Sequence, residues 1–182
     1  FQQWRGEVPN DLRKELDHAS LRGLDYLTRV QQPDGSWLPL WFGNQSAPGK
    51  INPTYGTAQV LHALRAFSPD TQAAPTIEYL VERGTTWLLH AQNADGGWGG
   101  VPGAPSTVEE TALALRALAG HAPNETIQTA LAWLIEATDH GQTFPASPIG
   151  LYFSQLWYHE RLYPLVFTVA ALGGVELRMD NG

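Results

Sequence analysis

A chain of 182 residues, 43% hydrophobic and 16% charged, can bury one sizeable core, which excludes a disordered tail. Its net charge of -7 excludes a surface made to hold phosphate backbones, so no nucleic-acid partner is expected. The absence of cysteine excludes disulfides, thiol catalysis and thiolate-bound metal.

In chain order, the first predicted helix covers about residues 11–31 and stops at the turn sequence Pro33-Asp34-Gly35. A second covers TYGTAQVLHALRAF, 54–67. The third runs over 77–92, where Ile77, Leu80, Val81, Gly84, Leu88 and Ala91 recur at helical spacing. Asp95-Gly96-Gly97 breaks it, and STVEETALALRALAG, 106–120, continues as a fourth. A fifth lies in ALAWLIEATDHGQTF, 130–144, and a last apolar segment over 150–173 is interrupted by Pro164. No apolar run is long enough to span a membrane. The sequence opens on Phe1, with neither Met nor a signal-peptide pattern, and is expected to be a piece of a longer chain.

The first and third helices end in the same word. RGLDYLTRVQQPDGSW (22–37) and RGTTWLLHAQNADGGW (83–98) share Arg-Gly, aromatic-Leu, Gln, Asp-Gly and Trp in one register. A third copy is worn: Trp133, Leu134 and Phe144 align with the second, and Thr138 stands in place of Gln. The chain therefore divides into three helix–loop–helix units, at about 11–67, 75–120 and 124–175, and shows no alternating strand pattern of useful length. Units of this kind bury their faces on one another as a solenoid or closed ring, so the expected fold is all-α. Gly23 and Gly84 fall mid-helix, where Gly costs ~1 kcal/mol against Ala. Their common register is expected to mark close helix approach.

Within each word, the amides of Gln31 and Gln92 are expected to bond free backbone groups at the next helix start. Gly35 and Gly96 make the turn. The indoles of Trp37 and Trp98 are expected to stack over the amides, so that the word staples one hairpin to the next. The functional rival, a repeated sugar-binding Trp, does not require Gln at a fixed helical offset.

Acid–base and metal chemistry have few candidates. TVEETA, 107–112, offers Glu109 and Glu110 as an acid pair. The expected reading is a capping box, with Ser106 or Thr107 as N-cap and a Glu three residues on. His90, His121 and His140 lack metal-ligand spacing, and no metal is expected.

The repeated word resembles the Gln-Trp motif of the squalene–hopene and oxidosqualene cyclases. PDGSW, LWFGN and INPTYGTAQVLHAL are similar to that family's PDGSW, RWG, NYxYGT and VLxAL block. GWGG and STVEETALALRAL are similar to its next repeat, and TFPASPIGLYFSQLWYHERLYP to its terminal block, FP and then FYLxYxxYRHxFP. The likeness covers about residues 11–175, in the family's C-terminal order. It implies an α/α toroid, the last part of one of two barrels. The implied whole is a class II terpene cyclase of squalene–hopene type, acting on a polyprene such as squalene without a cofactor. It would be cytoplasmic, or peripheral on the inner face of a membrane. The family's acid motif, Asp-x-Asp-Asp-Thr, does not occur here and is expected upstream, so this fragment alone should be inactive.

Such an enzyme protonates an alkene in a dry pocket and then shelters carbocations without offering a nucleophile. Aromatic faces do this, each contact being worth ~2 kcal/mol or more when desolvated. By the resemblance, Trp41 matches the Trp of RWG, which borders the cavity. Tyr55 matches the Tyr of YGT behind a longer loop at 44–50, Phe144 the Phe of FP, and Tyr158 a later Tyr. Leu151 and Gln155 stand where a Phe and a Tyr are expected, and Tyr152 or Phe153 is a replacement for one of them. Protein prenyltransferase β-subunits share the toroid but bind zinc through a Cys, and complement-like thioester domains need one too; neither is compatible with this composition. The alternative from another class is a non-catalytic toroid module that binds a lipid or protein partner.

Overall fold

In a computed structural model, residues 7–67, 73–151 and 153–179 are described. The elements are α1 (Asn10–Val30), β1 (Gly43–Asn44), a 3₁₀ turn (Pro48–Lys50), α2 (Pro53–Arg65), α3 (Ala74–His90), α4 (Val108–Leu118), α5 (Asn124–Ala137), β2 (Pro148–Leu151), β3 (Leu156–His159) and α6 (Leu162–Met179).

The helices form two layers, and burial shows which helix belongs to which. In α4 every residue except Arg116 is buried, as expected of a helix that is apolar nearly all round. It packs against α2, α5 and α6, and α2 in turn packs against α3. The helices α2, α4 and α6 thus form the inner layer. The outer helices bury only a stripe: Leu80, Gly84 and Leu88 of α3, Ile127, Ala130 and Leu134 of α5, and Leu24 alone of α1. Each of the fully buried leucines contributes about 1.5–3 kcal/mol relative to exposure. Trp98 and Trp37 anchor the two core clusters, the larger around α4 and the smaller between α1, α2 and α3.

Helix starts follow local chemistry. Asn52 caps α2 by accepting from the Tyr55 N–H, with Pro53 in the first position. Thr107 caps α4 by accepting from the Glu110 N–H. Pro164, which interrupts the last apolar segment, falls in the first turn of α6, where its missing N–H would have no helical partner anyway.

The fold is built of helical hairpins as expected, and the expected lack of strands is the first of two readings that need correction. A three-stranded antiparallel sheet, in the order β1-β2-β3, closes one side. Gly43 pairs with Gly150 and Asn44 with Ile149; Ile149 also pairs with Tyr158. Strands of two and four residues are too short to show alternation, and their partners lie far apart in sequence. The second correction concerns the mid-helix glycines. At Gly84 a Cβ would meet the Trp37 ring at 2.6 Å and Leu61 at 3.1 Å, the expected close approach. At Gly23 nothing described lies within 4 Å.

Candidate functional site

The two complete words build two joints of the same design. In the first, the Gln31 Nε2 donates to the Gly35 carbonyl of its own turn at 2.9 Å and to the Leu80 carbonyl of α3 at 3.1 Å. In the second, Gln92 Nε2 donates to the Gly96 carbonyl at 2.9 Å and to the Thr126 carbonyl of α5 at 3.3 Å. One amide thus ties its own turn to the next outer helix. Gly35 and Gly96 have φ of +99° and +94°, a region open to glycine at little cost. A Cβ there would also meet the Arg83 and Thr129 carbonyl oxygens at 2.7 and 2.8 Å.

The indoles close each turn from the core side. Trp37 and Trp98 are buried in the core. Their Nε1 groups donate backwards, to the Leu27 and Leu88 carbonyls at 2.9 and 2.8 Å. Their backbone N–H groups donate to the hydroxyls of Thr57 and Thr111 on the following inner helices. A buried indole needs an acceptor, and the last turn of its own outer helix offers carbonyls with a lone pair to spare.

A second pair of tryptophans makes the cross-joint contact. Trp87 Nε1 donates to Asp34 Oδ2 at 3.0 Å, and Trp133 Nε1 donates to Asp95 Oδ2 at 3.1 Å. The other carboxylate oxygen shapes the turn, accepting from the Ser36 N–H in one word and from the Gly97 N–H in the other. Asp34 and Asp95 stood in the repeated word, and Trp87 and Trp133 in its aligned aromatic column, but single-sequence reading assigned them no role. Their recurrence was the available signal.

In the third unit the joint is missing. Thr138 Oγ1 donates within its own helix, to the Leu134 carbonyl at 2.8 Å. The turn runs through Asp139 and His140 at positive φ, and Phe144 is half-buried. The chain then enters the sheet.

The two glutamates are buried at the start of α4. Glu110 accepts from the amides of Asn44 at 3.1 Å and Asn52 at 2.9 Å, and from the Thr107 hydroxyl. This goes beyond the expected cap: Glu110 locks β1 and the start of α2 to the start of α4. Glu109 Oε1 accepts from the Ser147 N–H at 2.8 Å, which fixes the approach to β2. Its Oε2 is buried and has no partner. Burial raises the Glu109 pKa, the Ser147 hydrogen bonds oppose that, and the nearby Glu110 raises it further. The pair is therefore built into a structural network.

Tyr55 opens α2 and stacks on Phe42, with ring centroids 4.4 Å apart. Burial raises its pKa, Gln59 hydrogen bonding lowers it, and Tyr163 raises it. Tyr163 in turn lies 5.3 Å from Phe167. Phe42, Tyr163 and Phe167 were not among the sequence candidates, because nothing local distinguishes them from core aromatics. Trp41 precedes Phe42 and β1 and is 54% exposed. Tyr158, 48% exposed, is registered through Ile149 to Asn44 and so shares their sheet face. The opposite face carries Trp157 beneath the Lys50 ammonium, 5.6 Å from the ring centroid. Phe144 lies three residues before Ser147, which Glu109 holds. Tyr152 lies outside the described residues. No cluster of potential metal ligands occurs among the described residues, and no described helix is long and apolar enough to cross a membrane.

Residues 10–176 match the squalene–hopene cyclase C-terminal domain family. A squalene hopane cyclase of Aspergillus fumigatus is 37% identical over 84 residues, 46% of this chain and 10% of that protein. An ent-copalyl diphosphate synthase of a Streptomyces species is 38% identical over 103 residues, 56% of this chain and 17% of the relative. The structure of the ent-copalyl diphosphate synthase from Streptomyces platensis superposes with a TM-score of 0.61 at 26% identity, over 89% of this chain and 30% of that one. The chain thus spans a small part of the length of the relatives it matches.

Proposed function

Because the chain belongs to the squalene–hopene cyclase C-terminal family, we propose that it forms the last arc of a class II terpene cyclase barrel. In this reading it contributes part of the wall of a polyprene cavity, and the proton donor lies in another part of the enzyme. The observation that carries the reading is the row of rings at the starts of the inner helices, from Phe42 on Tyr55 to Tyr163 and Phe167. By the resemblance, we assign Trp41, Phe144 and Tyr158 to the same wall.

The chemistry follows from the ring faces. Protonation of a terminal alkene leaves a cation that moves along the chain as each ring closes. A carboxylate or hydroxyl in its path would trap it; an aromatic face stabilises it and does not react. Glu109 and Glu110 are committed to Ser147, Asn44, Asn52 and Thr107, and we assign them to holding that wall together. The substrate of the squalene-type relatives is the first choice. The copalyl diphosphate synthases favour a prenyl diphosphate as the second reading, and Leu151 and Gln155 in the terminal block suit a less aromatic wall.

The test uses the whole enzyme with squalene and, separately, with a prenyl diphosphate. Trp41→Leu and Phe144→Leu keep bulk and remove the ring face. Loss of ~2 kcal/mol slows a late cyclisation more than tenfold and releases partly cyclised products. The 182-residue chain alone is expected to be helical and inactive. Product from the chain alone would return Glu109 to the role of acid, and unchanged products from both variants would remove Trp41 and Phe144 from the wall.

A further inference from the structure

The two joints differ in one group. At the first, Arg83 of α3 holds the incoming turn. Its guanidinium donates to the Gln32 carbonyl at 3.2 Å and to the Pro33 carbonyl, and it lies 3.5 Å from Gln31 Oε1. Tyr79, one turn earlier on α3, has the same guanidinium 5.6 Å from its ring centroid. The contacts of Leu80 and Trp87 recur at Thr126 and Trp133 of α5. The same register puts Thr129 in the place of Arg83 and Glu125 in the place of Tyr79. Thr129 is too short to clasp a turn. Its hydroxyl accepts from Gln92 Nε2 and donates to the Glu125 and Thr126 carbonyls.

The space left by the missing arm is open. A pocket of about 380 Å³ lies there, with Gln92, Asn93, Ala94, Asp95, Glu125 and Thr129 in its lining and no lysine or arginine. The turn itself is unchanged. The Gly96 N–H donates to the Asn93 carbonyl as the Gly35 N–H does to the Gln32 carbonyl, both at 2.9 Å. Asn93 and Ala94 therefore hold their carbonyls as Gln32 and Pro33 do. The second joint has lost the cation and kept its acceptors, and it has a carboxylate where the first has a ring. Glu125 stands in the first turn of α5 and answers the positive end of that helix. A guanidinium is a planar fork of five N–H donors that several oxygens can share.

We propose that the pocket at the second joint binds the guanidinium group of a small molecule, in the place that Arg83 fills at the first. The Asn93 and Ala94 carbonyls and Gln92 Oε1 accept from its N–H groups, and the Glu125 carboxylate balances its charge. The pocket is larger than a guanidinium, so the ligand carries a short chain. The site is built by a turn and an outer helix, so failure of the activity test above leaves it untouched.

Thermal melts of the full chain with agmatine, against putrescine and sodium chloride at equal ionic strength, test it. At about tenfold excess over its Kd, agmatine should raise Tm by about 3–5 °C, and the two controls should not. Thr129→Arg supplies the missing arm; it should raise Tm without ligand and abolish the agmatine shift. Glu125→Gln should weaken agmatine about threefold. Arg83→Ala opens the first joint, so it should lower Tm and enlarge the agmatine shift. No shift with agmatine, or an equal shift with putrescine, would overturn the guanidinium site. A shift that persists in Thr129→Arg and is unchanged in Glu125→Gln would place the binding elsewhere and overturn it too.

Discussion

The second word and the third occupy equivalent places in adjacent units and do opposite things. At 92–98 a long amide reaches across to α5, a buried indole closes the turn onto its own helix, and the backbone N–H of the same Trp98 bonds the next inner one. At 138–144 the hydroxyl of Thr138 reaches only its own helix and the Gly141 N–H, and the Phe144 ring has no donor in place of the indole N–H. Reach and donor count therefore decide whether a turn joins two units or ends the series. Where it ends the series, the following residues are free to leave the helical repeat, and here they build the sheet that carries Tyr158.

The largest effect that tests this comparison is at the paired aromatics. Trp98→Ala is expected to lower stability by about 3–5 kcal/mol, read as the unfolding midpoint in urea, because it empties a fully buried site and takes the indole donor from the Leu88 carbonyl. Phe144→Ala should lose only about 1–2 kcal/mol, since a half-buried ring regains part of its hydration. Equal losses would make Phe144 a core residue and the two words equivalent.

The amide position gives an intermediate effect. Gln92→Ala should lower the same midpoint by about 1–3 kcal/mol, the cost of leaving the Gly96 carbonyl without its amide donor and of cutting the tie to the Thr126 carbonyl of α5. Thr138→Ala should cost less, because its bonds stay within one turn. A larger loss at Thr138 would show that the third word also bears on the assembly.

The smallest effect sharpens the polar side of the comparison. Folding raises the Glu109 pKa above its ordinary 4.5, so the folded state holds its proton more tightly than the unfolded one. The associated stability is complete below about pH 4.5 and is lost as pH rises through the folded value. Glu109→Gln cannot ionise. Its Tm relative to the unaltered chain should therefore rise between pH 4.5 and pH 8, as thermal melts across that range would show; a constant difference would place an ordinary carboxyl at 109.

The helices and turns were legible because their causes are local. Periodic apolar positions, Asp-Gly turns and the Thr107 cap each act within a few residues, and the repeat exposed itself by matching eight positions, one of them aromatic for aromatic, across a window of sixteen. The candidate site was legible only in part. Trp41, Tyr55, Phe144 and Tyr158 could be singled out by resemblance, whereas Phe42, Tyr163 and Phe167 carry no distinguishing neighbour.

By itself, then, the sequence determined the helical hairpins, their order and the two glycine turns, because backbone dihedrals and 3.6-residue periodicity are properties of short segments. Only the tertiary structure decided that Trp87 and Trp133 answer to Asp34 and Asp95, 53 and 38 residues away. It also decided that Asn44 and Asn52 converge on Glu110 across 66 and 58 residues, and that β1 finds β2. Buried donors and acceptors must find partners wherever packing brings them together, and no local pattern records which partner that is.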